Sequence, residues 1–271
     1  MLGAIYGDII GSYYEIHCTK EYHFELHRES SFTDDSVMTA AVCKAILINP
    51  NPVPIYRIQQ RAFEYAAQYK QFFSYFPHAG YGAMFTKWAS EKSMIKQRSF
   101  GNGAAMRAAP IGYAYHSLEQ VHLQAKASCL YTHRHRKAIK GTKAVASAVW
   151  LARHGNSKDE IKTYLEHTFQ YRLDAKLNTI RPGYSFDSST DYTVPPAIIA
   201  FLESRDYESA VRNAVSLGGD ADTMACIAGA IAEAFYHHIP KHIQDFCNRR
   251  LDPTIKNTVN AFYRQFGETS N

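Results

Sequence analysis

Asp35 to Ile48 reads DSVMTAAVCKAILI. Val37, Ala41 and Ala45 recur every four residues, Met38, Val42 and Ile46 form a second row beside them, and Asn49-Pro50 ends the run. An apolar stripe with this period predicts an amphipathic helix whose face is buried in a core. The same pattern continues outward. Between Ala138 and Arg153, Val145, Val149 and Ala152 recur at helical spacing until His154-Gly155-Asn156 supplies a stop. Further helices are predicted from Tyr192 or Pro195 to Leu202, from about Tyr207 to Val215, and from about Thr223 to His237, the last closing ahead of Pro240. No stretch alternates with a period of two between turn residues. The expectation is an all-α chain, a compact multi-helix bundle in which residues 1–271 form a single domain.

Length and composition agree with one large globular unit. The chain has 271 residues, with 46% hydrophobic and 20% charged side chains, too apolar and too weakly charged for a disordered chain. No apolar run approaches the ~18–20 residues of a membrane span, and Asp8 and Glu15 interrupt the opening MLGAIYGDIIGSYYE where a signal peptide needs an unbroken apolar stretch. A soluble, cytoplasmic protein without membrane association is expected. The net charge of +5 is spread along the chain and does not imply nucleic acid. One cluster, His133-Arg134-His135-Arg136-Lys137 with Lys140 and Lys143, reads as a solvated helix face, and no sequence-specific nucleic-acid binding is expected from it. Five widely separated cysteines without CxxC spacing argue against a disulfide framework or a zinc site.

Three polar stretches resist helical assignment and immediately precede helices: Ser30 to Asp35, Arg98 to Gly103 and Leu217 to Thr223. A helix start presents unpaired N–H groups and partial positive charge, so it seats carboxylates or anions. Arg181 to Thr193 is a fourth irregular stretch and reads as a flap. Two of these stretches carry Phe32-Thr33-Asp34-Asp35 and Gly218-Gly219-Asp220-Ala221-Asp222-Thr223. Asp and Thr are ordinary N-caps, but a cap needs one side-chain oxygen, whereas these segments offer four carboxylates and two hydroxyls. Bringing the two together is costly without a cation between them and favourable with one. The donors are all hard oxygens, which points to Mg²⁺ or Mn²⁺ rather than Zn²⁺, and carboxylates shared between two ions would make a two-metal centre. DADTMACIAGAI lacks the central Gly and final Glu of an EF-hand.

Taken in order, GAIYGDIIGSYYE, FTDDSVMT, GYGAMF, SFGNGAAMRAAPIG, THRHRKAIKG, TVPPAIIAFLES and SLGGDADTMACIAGAIAEAFY resemble the ADP-ribosylglycohydrolase family, which includes the dinitrogenase reductase-activating glycohydrolases. Each motif alone is weak, and the ordered set is specific. The resemblance implies an all-α fold and a dimetal hydrolase that cleaves the bond between ADP-ribose and an acceptor. It implies two Mg²⁺, or Mn²⁺ in their place, held by Thr33, Asp34, Asp35, Asp220, Asp222 and Thr223. It implies catalytic roles for Glu15, Asp34 and Asp35, with Glu15 or Asp35 the general base. Substrate contacts are implied for Gly82 of GYGAMF, for Ser99, Phe100, Gly101, Asn102 and Gly103, where a glycine loop would hold the diphosphate and distal ribose, and for His133. The substrate would be an ADP-ribosylated protein, nucleic acid or small molecule, acted on by a monomer. One motif departs from the family: relatives continue Thr-His with Asn-His-Pro-Glu, and here Arg134-His135-Arg136-Lys137 follows, inverting the charge.

Three other readings carry different expectations. In the first, LGGDADT is the Asp-x-Asp of a phosphotransferase forming an aspartyl-phosphate, which requires a parallel sheet. In the second, the chain binds ADP-ribose or serves a structural role without turnover. The third, nucleic-acid binding, rests on the basic cluster alone and demands a steep salt dependence.

Overall fold

The computed structural model describes residues 1–267; the expected domain end at residue 271 lies outside them. The described residues form fourteen α-helices and no sheet. In chain order they are α1 (Leu2–Ile16), α2 (Asp34–Ile48), α3 (Ile58–Tyr75), α4 (Ala83–Ser90), α5 (Ala109–Ala114), α6 (Leu118–Cys129) and α7 (Arg136–Arg153). There follow α8 (Lys158–Phe169), α9 (Leu177–Ile180), α10 (Thr190–Leu202), α11 (Tyr207–Val215), α12 (Ala221–Tyr236), α13 (Lys241–Asn248) and α14 (Pro253–Phe266). Two isolated bridges, Arg98 with His133 and Gly101 with Ser189, are the only extended pairings among the described residues. The all-helical architecture removes the phosphotransferase reading, which needs a parallel sheet. None of the described helices is long and apolar enough to cross a membrane.

The centre of the bundle is α12, buried from Ala221 to Ala232 without a break and packed by α1, α7, α10 and α11. A helix that is apolar all round belongs inside a protein, and ADTMACIAGAIAEAFY is such a helix apart from its first turn. Its tightest neighbour is α1. Gly3, Gly7 and Gly11 fall four residues apart on α1 and face Gly229, Ala225 and Ala221 of the antiparallel α12. A β-carbon at Gly7 would lie 2.5 Å from the carbonyl carbon of Ala225, and one at Gly11 would lie 2.6 Å from Cα of Asp222. Only glycine permits this approach, and it brings the acidic end of α1 against the start of α12. Tyr207 on α11 closes the far end by donating to the carbonyl of Gly3 at 2.8 Å. On the other side α2, the helix read from DSVMTAAVCKAILI, buries eleven of its fifteen residues against α1, α3 and α14.

The predicted helices are present, α11 with the expected bounds and the others with shifted starts. Helix α10 begins at Thr190, so Pro195 and Pro196 lie within it rather than at its head. Pro196 has no N–H for the carbonyl of Tyr192, and the Tyr184 hydroxyl donates to that oxygen instead at 2.8 Å. The stretch read as a flap is correspondingly short and anchored. The Thr190 N–H donates to Phe100 O at 3.0 Å, and the Asn102 N–H donates to Ser188 O at 2.8 Å. The Thr190 hydroxyl reaches Phe100 O and Gly101 O at 2.8 and 2.7 Å.

Candidate functional site

Thr33 stands at the N-cap of α2, as its sequence suggests, and its Oγ1 accepts from the Asp35 N–H at a long 3.4 Å. Most of the capping comes from another helix. Asp8, fully buried on α1, accepts at Oδ2 from the N–H groups of Thr33 and Ser36, both at 3.0 Å, and from the Ser36 hydroxyl. Its Oδ1 accepts from the Thr33 hydroxyl at 2.7 Å. A carboxylate at a helix N-terminus satisfies orphan donors and meets favourable potential. Asp34 and Asp35 are thereby released from capping α2.

The second acidic cluster arrives on the first turn of α12. Asp222 Oδ1 accepts from the Thr223 N–H at 2.7 Å, and the Thr223 hydroxyl donates to Asp35 Oδ2 at 3.2 Å, joining clusters separated by 188 positions. Asp220 Oδ2 accepts from Asn102 Nδ2 at 2.8 Å, tying the acidic wall to the glycine loop. Oxygens of Asp8, Asp35 and Asp222 lie within 4.8 Å of one another, as do oxygens of Glu15, Asp220 and Asp222. Asp222 is common to both triads.

Among the described residues no Lys, Arg or His forms a salt bridge with these carboxylates, and their titration reflects the crowding. Burial pushes Glu15 up to about 7 and Asp34 up to about 8, with neighbouring carboxylates adding to both. Asp8 rises to about 6 through burial despite its four hydrogen bonds. Asp35 and Asp222 are raised well above the ordinary carboxylate range, again by burial first and by neighbouring Asp residues second. Asp35 Oδ1 is buried without a hydrogen-bond partner. A buried, unpaired carboxylate oxygen beside several others is the donor set a hard divalent cation satisfies. The residues present fit such an ion.

The clusters form one wall of a cavity of about 320 Å³. Glu15, Asp34, Asp35, Asp220, Asp222 and Thr223 line it from the acidic side; Gly82, Ser99, Gly101, Asn102, Gly103 and His133 line it from the other. Thirteen of the fourteen residues singled out in the sequence are accounted for by this wall pair and by Thr33, which stands behind Asp8 and does not line the cavity. Phe100 is the exception: its ring is 56% exposed and meets His135 edge-on, with centroids 5.9 Å apart.

His133 is fixed by a relay that sequence reasoning missed. Arg107, buried on the far wall, donates from Nη2 to Thr132 Oγ1 at 2.7 Å, and Thr132 Oγ1 lies 2.9 Å from His133 Nδ1. Nε2 is the ring nitrogen nearest the glycine loop: a β-carbon at Gly103 would stand 3.2 Å from it. Burial and the Arg107 charge hold the His133 pKa well below the usual histidine value, so the ring is neutral. Asp8 was also missed as a site residue, although a signal existed: Asp8 and Glu15 are seven apart, on one face of the helix. Nothing in the sequence marks Arg107 or Thr132 beyond their adjacency to the glycine loop and to His133.

Comparison with known proteins gives a consistent result. A family model described as ADP-ribosylglycohydrolase matches residues 1–270. The chain is 28% identical to human ADP-ribosylhydrolase ARH3, over 91% of this chain and 87% of the relative. The mouse ADP-ribosylhydrolase ARH3 is also 28% identical, over 100% of this chain and 91% of the relative. Among solved structures, one described as an ADP-ribosylglycohydrolase-related protein complex superposes with a TM-score of 0.68 at 22% identity, covering 97% of this chain and 95% of its own; that likeness is one of fold.

Proposed function

The chain belongs to the ADP-ribosylglycohydrolase family, and from that premise we propose that it hydrolyses the bond between the anomeric carbon of ADP-ribose and an acceptor on a protein, nucleic acid or small molecule. The observation that carries this reading is the meeting, in one cavity, of carboxylates from both ends of the chain with the Ser99–Gly103 loop. Residues 1–271 act as one domain, a monomer in the cytoplasm, where the five cysteines, all unpaired in the structure, stay reduced.

Thr33, Asp34, Asp35, Asp220, Asp222 and Thr223 are the residues that would hold two Mg²⁺, with Mn²⁺ as the alternative. Bound there, the ions would orient the ribose hydroxyls beside the reacting carbon, while the surrounding carboxylates tolerate the positive charge that develops on the ring. The chain's own residues do the rest. In the Ser99–Gly103 loop the N–H groups of Ser99, Gly101 and Asn102 are engaged within the fold, which leaves those of Phe100 and Gly103 to meet the diphosphate. His133 presents Nε2 to the ligand without bringing a charge that titrates. Asn102 keeps Asp220 turned toward the cavity. Between the two candidate bases, Glu15 is the better placed to move a proton. It lines the cavity and accepts no hydrogen bond among the described residues, whereas Asp35 is tied to Thr223. Glu15 takes the proton of the attacking water, and the protonated carboxyl then serves the leaving group.

The test is ADP-ribose release from ADP-ribosylated arginine, serine and nucleic-acid substrates with Mg²⁺ and with excess chelator. Release on at least one acceptor, lost in chelator and in Glu15→Gln, is expected. Equal release in chelator removes the metal role. Thermal stabilisation by ADP-ribose with no turnover on any acceptor turns the reading to a noncatalytic ADP-ribose binder.

A further inference from the structure

Outside the cleft, helices α6 and α7 and the end of α8 border an open hollow of about 400 Å³ whose walls are largely apolar and are formed in part by the stems of basic side chains. Arg136, Lys140 and Lys143 project into it from one stripe of α7, and Lys126 faces them from α6. Ile139 and the buried ring of Phe169 form an apolar floor.

This concentration of charge is uncompensated. Helix α7 carries no Asp or Glu between Arg136 and Arg153. Among the described residues, Lys126, Arg136 and Lys143 make neither a salt bridge nor a hydrogen bond through their side chains, and Lys140 has only Asp191, at 3.8 Å, and the face of Tyr171. Lys143 is half-buried, and its pKa is lowered by burial and then by Lys126. Half-buried His122 is lowered by burial and then by Lys143. Like charges at i, i+4 spacing destabilise a helix, and cations in its first turn oppose its dipole. A solvated helix face relieves such repulsion by spreading its charges; here Arg136 and Lys143 share one hollow with Lys126 of α6.

We propose that this hollow is a second ligand site, which binds a phosphate-bearing nucleotide group, either free or as part of a nucleic-acid strand. Phosphate concentrates negative charge beside the three unpaired cations Lys126, Arg136 and Lys143, and a base is the flat apolar body that Ile139 and Phe169 accommodate. A membrane surface is disfavoured, because none of the exposed large apolar side chains lies at the rim. The site borders the cleft through the chain itself: His133 lines the cleft and Arg136, three residues on, opens α7 and the hollow.

Calorimetric titrations of the full chain with ADP, pyrophosphate and a ten-residue thymidine oligonucleotide, all in saturating ADP-ribose, test this. The preceding ADP-ribose titration reports on the cleft by itself, so failure there and failure here are separable. Binding of ADP or the oligonucleotide is expected, weakened at least tenfold in the double variant Lys126→Gln, Lys143→Gln, neither residue of which lines the cleft. That variant is also expected to have a higher Tm than the parent without ligand, because two repelling charges are gone, and to lose the Tm rise that ligand produces. An oligonucleotide tighter than ADP, with an affinity that falls steeply in salt, assigns the hollow to a strand; equal affinity assigns it to a free nucleotide. No binding by any probe at low salt, or binding untouched by the double variant, overturns the proposal. Pyrophosphate binding as tightly as ADP, or a decaglutamate peptide competing as well as either, overturns the nucleotide assignment.

Discussion

Replacing Gly7 with alanine tests the contact on which the acidic site is built. Alanine is the better helix former by roughly 1 kcal/mol, so Gly7→Ala in a loosely packed α1 would stabilise the protein. In this structure the new β-carbon would lie 2.5 Å from the Ala225 carbonyl carbon and 2.9 Å from the Cys226 nitrogen, and closer still to the Ala225 oxygen. Carbon atoms in contact sit about 3.5–4.0 Å apart, so α1 and α12 must separate by roughly 1 Å. Overpacking of this kind costs about 1–3 kcal/mol, and at about 2–4 °C per kcal/mol the expected fall in Tm is about 2–12 °C. The displacement also reaches the site. Asp8 follows Gly7 directly, and its 3.0 Å bonds to the Thr33 and Ser36 N–H groups do not survive a shift of that size. Turnover is therefore expected to drop about a hundredfold, the usual scale for an ångström of misplacement. The assay is thermal unfolding followed by circular dichroism, with ADP-ribose release measured on the folded variant. Gly183→Ala serves as control, since a β-carbon there meets nothing within 4 Å. A Gly7→Ala protein as stable as the parent or more so, with unchanged turnover, refutes the reasoning.

Asp8→Asn keeps the shape but turns an amide NH₂ toward donors that Asp8 now accepts from, and a loss of at least about 2 kcal/mol is expected in denaturant unfolding; a change below about 0.5 kcal/mol shows that α2 is capped otherwise. Mg²⁺ at a hundredfold excess over its Kd is expected to stabilise the protein by about 2.7 kcal/mol. Asp222→Asn, by removing a repelling charge, should raise the metal-free Tm while abolishing the Mg²⁺ response; a retained response excludes Asp222 as a shared ligand. Thr132→Val removes the hydroxyl between Arg107 and His133, so ¹⁵N spectra should show a changed tautomer balance on the ring and ADP-ribose affinity falling about tenfold, with spectra unchanged if packing alone holds the ring. The folded pKa of His133 lies well below 6.5, so the unfolded chain takes up the proton first and stability is lost as pH falls through about 6.5 toward the folded value. His133→Gln is expected to flatten the curve of Tm against pH below 7; a parallel curve refutes the neutral, buried ring.

The helical class was legible because Val37, Ala41 and Ala45 form one row, Met38, Val42 and Ile46 form a second beside it, and the run is longer than a strand usually is. The acidic partnership was legible for a different reason. Four carboxylates exceed what capping needs, and their excess pointed to convergence before any contact was known. The boundaries at α10 were not legible, since Pro195 and Pro196 ordinarily start a helix, and it takes the hydroxyl of Tyr184, from outside the helix, to make them tolerable inside one. The relay from Arg107 to His133 was hidden likewise, because it depends on three side chains meeting across 26 positions.

Asp8 shows where pattern reading stopped short. In GDIIG it looks like a polar interruption of an apolar helix, and only its seven-residue spacing from Glu15 hints at more. That spacing is two helical turns, about 10 Å along α1. Asp8 belongs to one triad and Glu15 to the other, with Asp222 reaching both from α12. The glycine stripe on α1 thus does more than pack a core: by pressing α1 against α12 it sets Asp222 between Asp8 and Glu15, and a wider helix spacing would leave each triad short of its common member.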